Sequence, residues 1–234
     1  MRQLILTALL AVSTVSLADS LKEANTLLDK GDWQAATAMG TALNTSDGFA
    51  VAAKATTLGA SVSAEAAKRG LLEKAQGYAN QAVKLNDENA SAYFELARAD
   101  GRLAQFVGIL QSLPLARDIK AALQKAISLD PKMDEGYAAL GLWNAELVAK
   151  GGFVAFSYGA DASQVTANFE KAVAIAPTTI AHRLEYANSL LKLDSTKNKA
   201  AALAQLKKAV TLAPVTYWDR QDLAAAQKKL NDLQ

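Results

Sequence analysis

The sequence predicts an all-α chain of stacked helix pairs, and three observations carry that prediction. A short pattern recurs at Ala126-Ile127-Ser128-Leu129-Asp130-Pro131, Ala172-Val173-Ala174-Ile175-Ala176-Pro177 and Ala209-Val210-Thr211-Leu212-Ala213-Pro214, and these copies hold three of the four prolines. Ala82-Val83-Lys84-Leu85-Asn86-Asp87 keeps the pattern without proline, and Gly40-Thr41-Ala42-Leu43-Asn44-Thr45 is a degraded fifth copy. Successive copies are 42, 44, 46 and 37 residues apart, a period that belongs to repeated supersecondary units. Second, no strand-like alternation of comparable strength appears. Third, 51% of the 234 residues are apolar and 21% charged, enough to fill a core and too little charge for a disordered polymer.

Element by element, paired helices are predicted at 20–30 and 32–44, 47–63 and 65–85, 88–107 and 115–129, 133–149 and 161–175, then 178–193 and 198–212. A last helix, 216–232, stands alone as a polar cap. Asp32 before Trp33, Asp47 before Gly48, Asp161 with Gln164 three residues on, and Thr178 supply start signals. Pro131, Pro177 and Pro214 stop the helices before them, since proline lacks the amide proton and clashes with the carbonyl four residues back.

These units resemble the tetratricopeptide repeat, a helix-turn-helix of about 34 residues. With Pro131 at repeat position 32, Tyr137, Leu140 and Gly141 fall at positions 4, 7 and 8, which fit that family's pattern. The same frame puts Ala55, Ala97, Gly141 and Ala187 at position 8, and Gly40, Ala82, Ala126, Ala172 and Ala209 at position 27. All are small, as a close approach of helix axes demands. Position 24 carries Leu123, Phe169 and Leu206, large enough to plug the gap between units. The departure is length: the extra residues lengthen the helices of a pair or enlarge the loop between them, at Gln105–Pro114 and Ala149–Ala160.

Leu140 to Leu230 resembles the regulator of microtubule dynamics family, tetratricopeptide-like proteins with bacterial relatives. The matching stretches are Gly141-Leu142-Trp143, the glycine-aromatic insertion Gly151–Gly159, Asn168-Phe169-Glu170-Lys171-Ala172, Ala187–Leu193, and Leu206–Val210 through Pro214 to Asp222. The family is implicated in microtubule association in animals; for an exported chain the resemblance implies the fold and a binding scaffold. A second likeness, to the periplasmic T-component of certain solute transporters, implies a helical-repeat carrier. Neither implies an enzyme.

Arg2, the largely apolar run Leu4–Val15 and Ser16-Leu17-Ala18 have the three parts of a secretory signal peptide, with cleavage expected after Ala18. That division leaves 1–18 as leader and 19–234 as the repeat domain. As a helix the apolar run spans about 18 Å, short of a ~30 Å hydrocarbon core, so no transmembrane segment is expected after cleavage. A periplasmic or secreted bacterial location follows as an expectation. Zero cysteines and one histidine exclude disulfides, thiolate chemistry and a His- or Cys-rich metal site, and no cofactor motif occurs. With 25 Lys and Arg against 23 Asp and Glu, and no basic run longer than a pair such as Lys207-Lys208, a nucleic-acid partner is not expected.

In tetratricopeptide arrays the first helices line the inner surface. Their inward positions 2, 5, 9 and 12 here include Phe94, Arg98, Leu142, Ala145, Leu184, Asn188 and Leu191. Only Arg98 and Asn188 suit a carboxylate clamp, so an apolar or extended peptide-like partner is expected, the alternative being that the large residues pack between units. Phe153, Phe156 and Tyr158 lie between glycines and read either as a lid over the groove or as continued core. His182 reads as a solvated helix residue, the acids Asp134-Glu135 as helix-start charges, and Trp33, Trp143 and Trp218 as packing. The function expected is a non-catalytic scaffold for a protein or extended peptide. The alternatives are a carrier of a small apolar ligand and, more remotely, an enzyme using carboxylates such as Glu146 or Glu185.

Overall fold

The computed structural model describes residues 16–106 and 109–234. Twelve helices and no strand occur among them: α1 (Leu17–Asp29), α2 (Trp33–Ala42), α3 (Ser46–Val62), α4 (Glu65–Leu85), α5 (Ala90–Leu103), α6 (Ile109–Leu129), α7 (Asp134–Ala149), α8 (Gly152–Tyr158), α9 (Ala162–Ile175), α10 (Ile180–Leu193), α11 (Lys199–Ala209) and α12 (Tyr217–Leu233). Five pairs result, α1/α2, α3/α4, α5/α6, α7/α9 and α10/α11, with α8 inserted in the fourth. The first helices touch in the order α1, α3, α5, α7, α10, α12, forming an inner layer. Residues 1–15 of the expected leader lie outside the described residues, and Ser16 caps α1 by accepting from the Asp19 amide.

The small and large positions do what the repeat frame requires. Leu123, Phe169 and Leu206 at position 24 are essentially inaccessible, as are Ala55, Ala97 and Ala187 at position 8. Burying each large side chain contributes about 2–3 kcal/mol. At Gly141 a Cβ would stand 2.7 Å from the Phe169 ring, so that helix pair can close only on glycine.

Helix starts follow the predicted signals with small shifts. Asp32 caps α2 and Asp161 caps α9, accepting from the amides of Ala35 and Ser163. Thr45, not Asp47, caps α3, and Thr179, not Thr178, precedes α10. Helix α6 begins at Ile109, so Pro114 lies inside it and not at the end of a loop. The second insertion contains a short helix of its own, α8, framed by Gly151 (φ +110°) and Gly159 (φ +64°), conformations in which a side chain would be strained.

Helix α12 caps the last pair by packing on α10 and α11, and it also reaches the other end of the chain. The Trp218 indole Nε1 donates to the Leu28 carbonyl at 2.7 Å, adding a side-chain donor to an acceptor that already takes the Gly31 amide at the end of α1. Its ring joins Leu28, Ala36, Ala55, Trp33 and Leu58 in one apolar cluster. Beside it the Tyr217 ring lies 2.6 Å from where a Cβ of Gly31 (φ +91°) would be. The array therefore closes on itself. Trp143 packs too, donating from its indole to the Ala116 carbonyl at 2.8 Å.

Candidate functional site

The inner layer carries a cleft of about 200 Å³ shared by four first helices. Its walls are Leu21 from α1, Ala50 and Val51 from α3 and Phe94 from α5. Its polar rim is Asp47 and Lys54 from α3, Glu95 from α5 and Glu135 from α7. Each helix supplies these groups because its opposite face is committed to small-residue packing against its own partner, leaving the inward face free for charge.

The rim is an alternating ionic chain. Lys54 Nζ stands 3.5 Å from Glu135 Oε1, joining α3 to α7 across the intervening α5. On α5 the Arg98 guanidinium grips the Glu95 carboxylate with two donors, Nε reaching Oε2 at 2.8 Å, and lies 4.9 Å over the Phe94 ring. Burial pushes the Glu95 carboxyl above its ordinary range, outweighing the Arg98 guanidinium that draws it down. Glu135 is also penalised by its surroundings, yet Lys54, Arg98 and His182 together hold it below the usual carboxylate range.

Further along the layer His182 Nε2 lies 2.6 Å from Asp134 Oδ2, joining α10 to α7. His182 is 4% exposed, which corrects the reading of a solvated histidine: α10 packs flush on α7 and so encloses its own first turn. Arg102 on α5 approaches Glu185 on α10 at 3.9 Å. Asp222 on α12 is partly buried beside them, and desolvation, then Glu185 and Asp219, raise it to about 6 against the pull of Arg102.

Of the residues expected to line the groove, Phe94 lines this cleft and Arg98 stands behind its rim, paired with Glu95. Leu142 and Leu191 instead pack against the cluster that surrounds Phe169, and Asn188 is half-buried on α10 away from the cleft. The rim of the groove is therefore charged, because large inward residues such as Leu142 and Leu191 pack between units. Phe153 and Phe156 are 85% and 86% exposed, so they are not core. They do not line the cleft either. Tyr158 is half-buried beneath the Arg117 guanidinium, 5.2 Å from its ring centroid, with Val154 and Ala155 turned inward beside it.

Glu135 is findable from the sequence: with Gly141 at position 8 it occupies position 2, one of the inward set. Lys54 and Glu95, at positions 7 and 6, fall outside that set and carry no sequence signal. Among the described residues no group of three or more His, Cys, Asp or Glu side chains is placed to hold a metal ion. No described helix is long and apolar enough to cross a membrane.

Solved structures with the same fold include a thermophilic tetratricopeptide protein of Thermus thermophilus, TTC0263, which is 19% identical with a TM-score of 0.68, covering 91% of this chain and all (100%) of that one. The human IFIT1 dimer with PPP-AAAA is 13% identical with a TM-score of 0.59, covering 93% of this chain and 47% of that one. Both establish the helical-repeat fold. No curated protein matches the chain. The model of the family described as regulator of microtubule dynamics protein 1-3 matches residues 20–234, so the early repeats are included with the later ones and the chain belongs to that family.

Proposed function

We propose that the protein is a non-catalytic interaction scaffold whose inner cleft takes one side chain of an extended segment of another protein. The observation that carries this reading is the cleft's composition: apolar walls from Leu21, Val51 and Phe94 below a rim of Asp47, Glu95, Glu135 and Lys54. Its volume of about 200 Å³ suits a single long side chain. A drug-sized ligand needs about 300–1,000 Å³ of largely enclosed space. That size argues against the carrier reading at this cleft, and the second cleft, between α7, α9 and α10, is larger at about 480 Å³ but open to solvent. With Glu95 held by Arg98 and Glu135 facing Lys54, Asp47 leaves the rim one net negative charge, which favours a partner side chain with an aliphatic stem and a cationic head. Burying such a stem against Phe94 and Val51 while Asp47 and Glu135 receive the head would give the segment its register.

A peptide array probed with the whole protein tests this. Segments bound by the wild type should be enriched in Lys or Arg, and Glu135→Lys should weaken them at least tenfold while leaving the helical circular dichroism unchanged. Equal binding by the variant refutes the assignment, and so does a metabolite retained in native mass spectrometry of protein from its own host. We further infer export through the leader 1–18 with cleavage after Ala18, supported by its tripartite sequence. An intact Met1 on exported protein would refute the cleavage, and retention of the chain in the cytoplasmic fraction would refute the export.

A further inference from the structure

The rings of Phe153 and Phe156 stand almost wholly in solvent, 85% and 86% exposed, on the seven-residue helix α8. Three residues apart, they share one face, while Ala155 is buried and Val154 and Tyr158 pack on the cluster that holds Trp143 and Ile119. A helix apolar on both faces is ordinarily enclosed, and here the outer face meets nothing. Its position is fixed. Gly151 and Gly159 both take positive φ at its ends, Lys120 Nζ donates to the carbonyls of Tyr158 and Gly159 at 3.3 and 3.2 Å, and Arg117 covers the Tyr158 ring.

We propose that α8 is a membrane-contact tip, with Phe153 and Phe156 entering the headgroup–acyl boundary of an anionic bilayer. Three features choose a bilayer over a protein. Two phenylalanines offer roughly 300–500 Å² of apolar area, from about 150–250 Å² per ring, where a specific protein interface needs about 800 Å² on each side. A second copy of the chain is insufficient by the same count. The tip is convex, with open space around Gly151 and Gly152, and neither phenylalanine lines a cleft, so it fits a deformable apolar phase better than a preformed pocket.

The flanking charge is basic. Lys150 and Arg117 are exposed beside the tip, and no carboxylate occurs between Glu146 and Asp161. Asp161 lies just beyond the tip, with its side chain accepting from the Ser163 amide, and Asp118 on α6 sits toward Asp100 of α5. Lys150 and Arg117 are thus placed for lipid phosphates while the aromatics enter. This surface is separate from the inner cleft and does not depend on the scaffold reading.

Vesicle co-sedimentation of the whole chain tests it, with equimolar phosphatidylglycerol and phosphatidylcholine against phosphatidylcholine alone. Residues Leu4–Val15 have lipid affinity of their own, so the readout is the difference between wild type and the Phe153→Ser/Phe156→Ser variant, whose two sites are solvent-exposed so that the fold stays intact. Binding to the anionic vesicles should fall at least tenfold in the variant, and Lys150→Glu should weaken it further with a salt-dependent loss. Equal partitioning of wild type and variant overturns the proposal. So does a phenylalanine-dependent dimer seen by native mass spectrometry in the absence of lipid.

Discussion

One substitution, glycine to alanine, should change sign between two helices, and the pair isolates the close packing on which the array depends. In the middle of a helix, alanine is favoured over glycine by about 1 kcal/mol, because glycine loses more backbone freedom on folding. Gly77 on α4 has open space where its Cβ would go, so Gly77→Ala should stabilise by about that amount. At Gly141 the same methyl would sit 2.7 Å from the Phe169 ring, where ordinary contact begins at 3.4 Å, so the ring must retreat by about 0.7 Å. It has nowhere to go: Phe169 is 0% exposed and stacked on Tyr186 with centroids 5.0 Å apart. Overpacking of this kind costs about 1–3 kcal/mol, which offsets the propensity gain and leaves a net loss of up to about 2 kcal/mol. Each kcal/mol moves the melting temperature of a chain this size by about 2–4 °C, so calorimetry should show Gly77→Ala melting above wild type and Gly141→Ala below it. If both variants melt higher, the position-8 contact is not a tight one and the packing argument fails.

Asp222 binds a proton in the folded protein up to about pH 6, against an ordinary value of 3.8, so its carboxyl favours the native state at low pH. That contribution is lost as pH rises from about 4 through 6, and Asp222→Asn should be more stable than wild type at pH 8 by about 1–2 kcal/mol, a figure reduced for partial solvent screening. Urea titrations at pH 4 and pH 8 decide the point, and an unchanged difference between the two proteins would contradict it. Trp218→Phe removes the hydrogen bond to the Leu28 carbonyl and should cost about 1–2 kcal/mol. Amide exchange should then quicken at the end of α1 as well as in α12; protection lost from α12 alone would show that the two ends do not support each other. Ser189 is fully buried and its hydroxyl has no hydrogen-bond partner among the described residues, so Ser189→Ala should be neutral or stabilising by up to about 1 kcal/mol in chemical denaturation. A loss above 1 kcal/mol would reveal a partner for that hydroxyl.

The helix pairs are legible because their determinants are local and periodic: a small residue at Gly141 or Ala187, a large one at Phe169, and a proline shortly after a helix end, as at Pro131 and Pro177. What cannot be read depends on contacts between units. Trp218 and Leu28 are 190 residues apart, and nothing in either segment announces the other. His182 looks solvated beside Arg183 and Glu185, and only the docking of α10 on α7 encloses it against Asp134. The inner surface departs from expectation for a related reason. Inward positions 2, 5, 9 and 12 describe an open array, whereas contacts between units turn Leu142 and Leu191 into interior packing and bring Lys54 across to Glu135. Insertions are the least legible parts, since Gly151–Gly159 carries aromatic residues whose burial depends on which face of α8 meets its neighbours.

The meeting of Trp218 with the turn after α1 bears on how such a protein can change over generations. An open solenoid tolerates duplication or deletion of a module, because each module recognises only its neighbours. Here one module more or fewer would carry the tail past or short of the head, breaking the seam between them. Divergence is thereby steered into the modules themselves, toward longer hairpins and added tips such as α8, while their number is held constant.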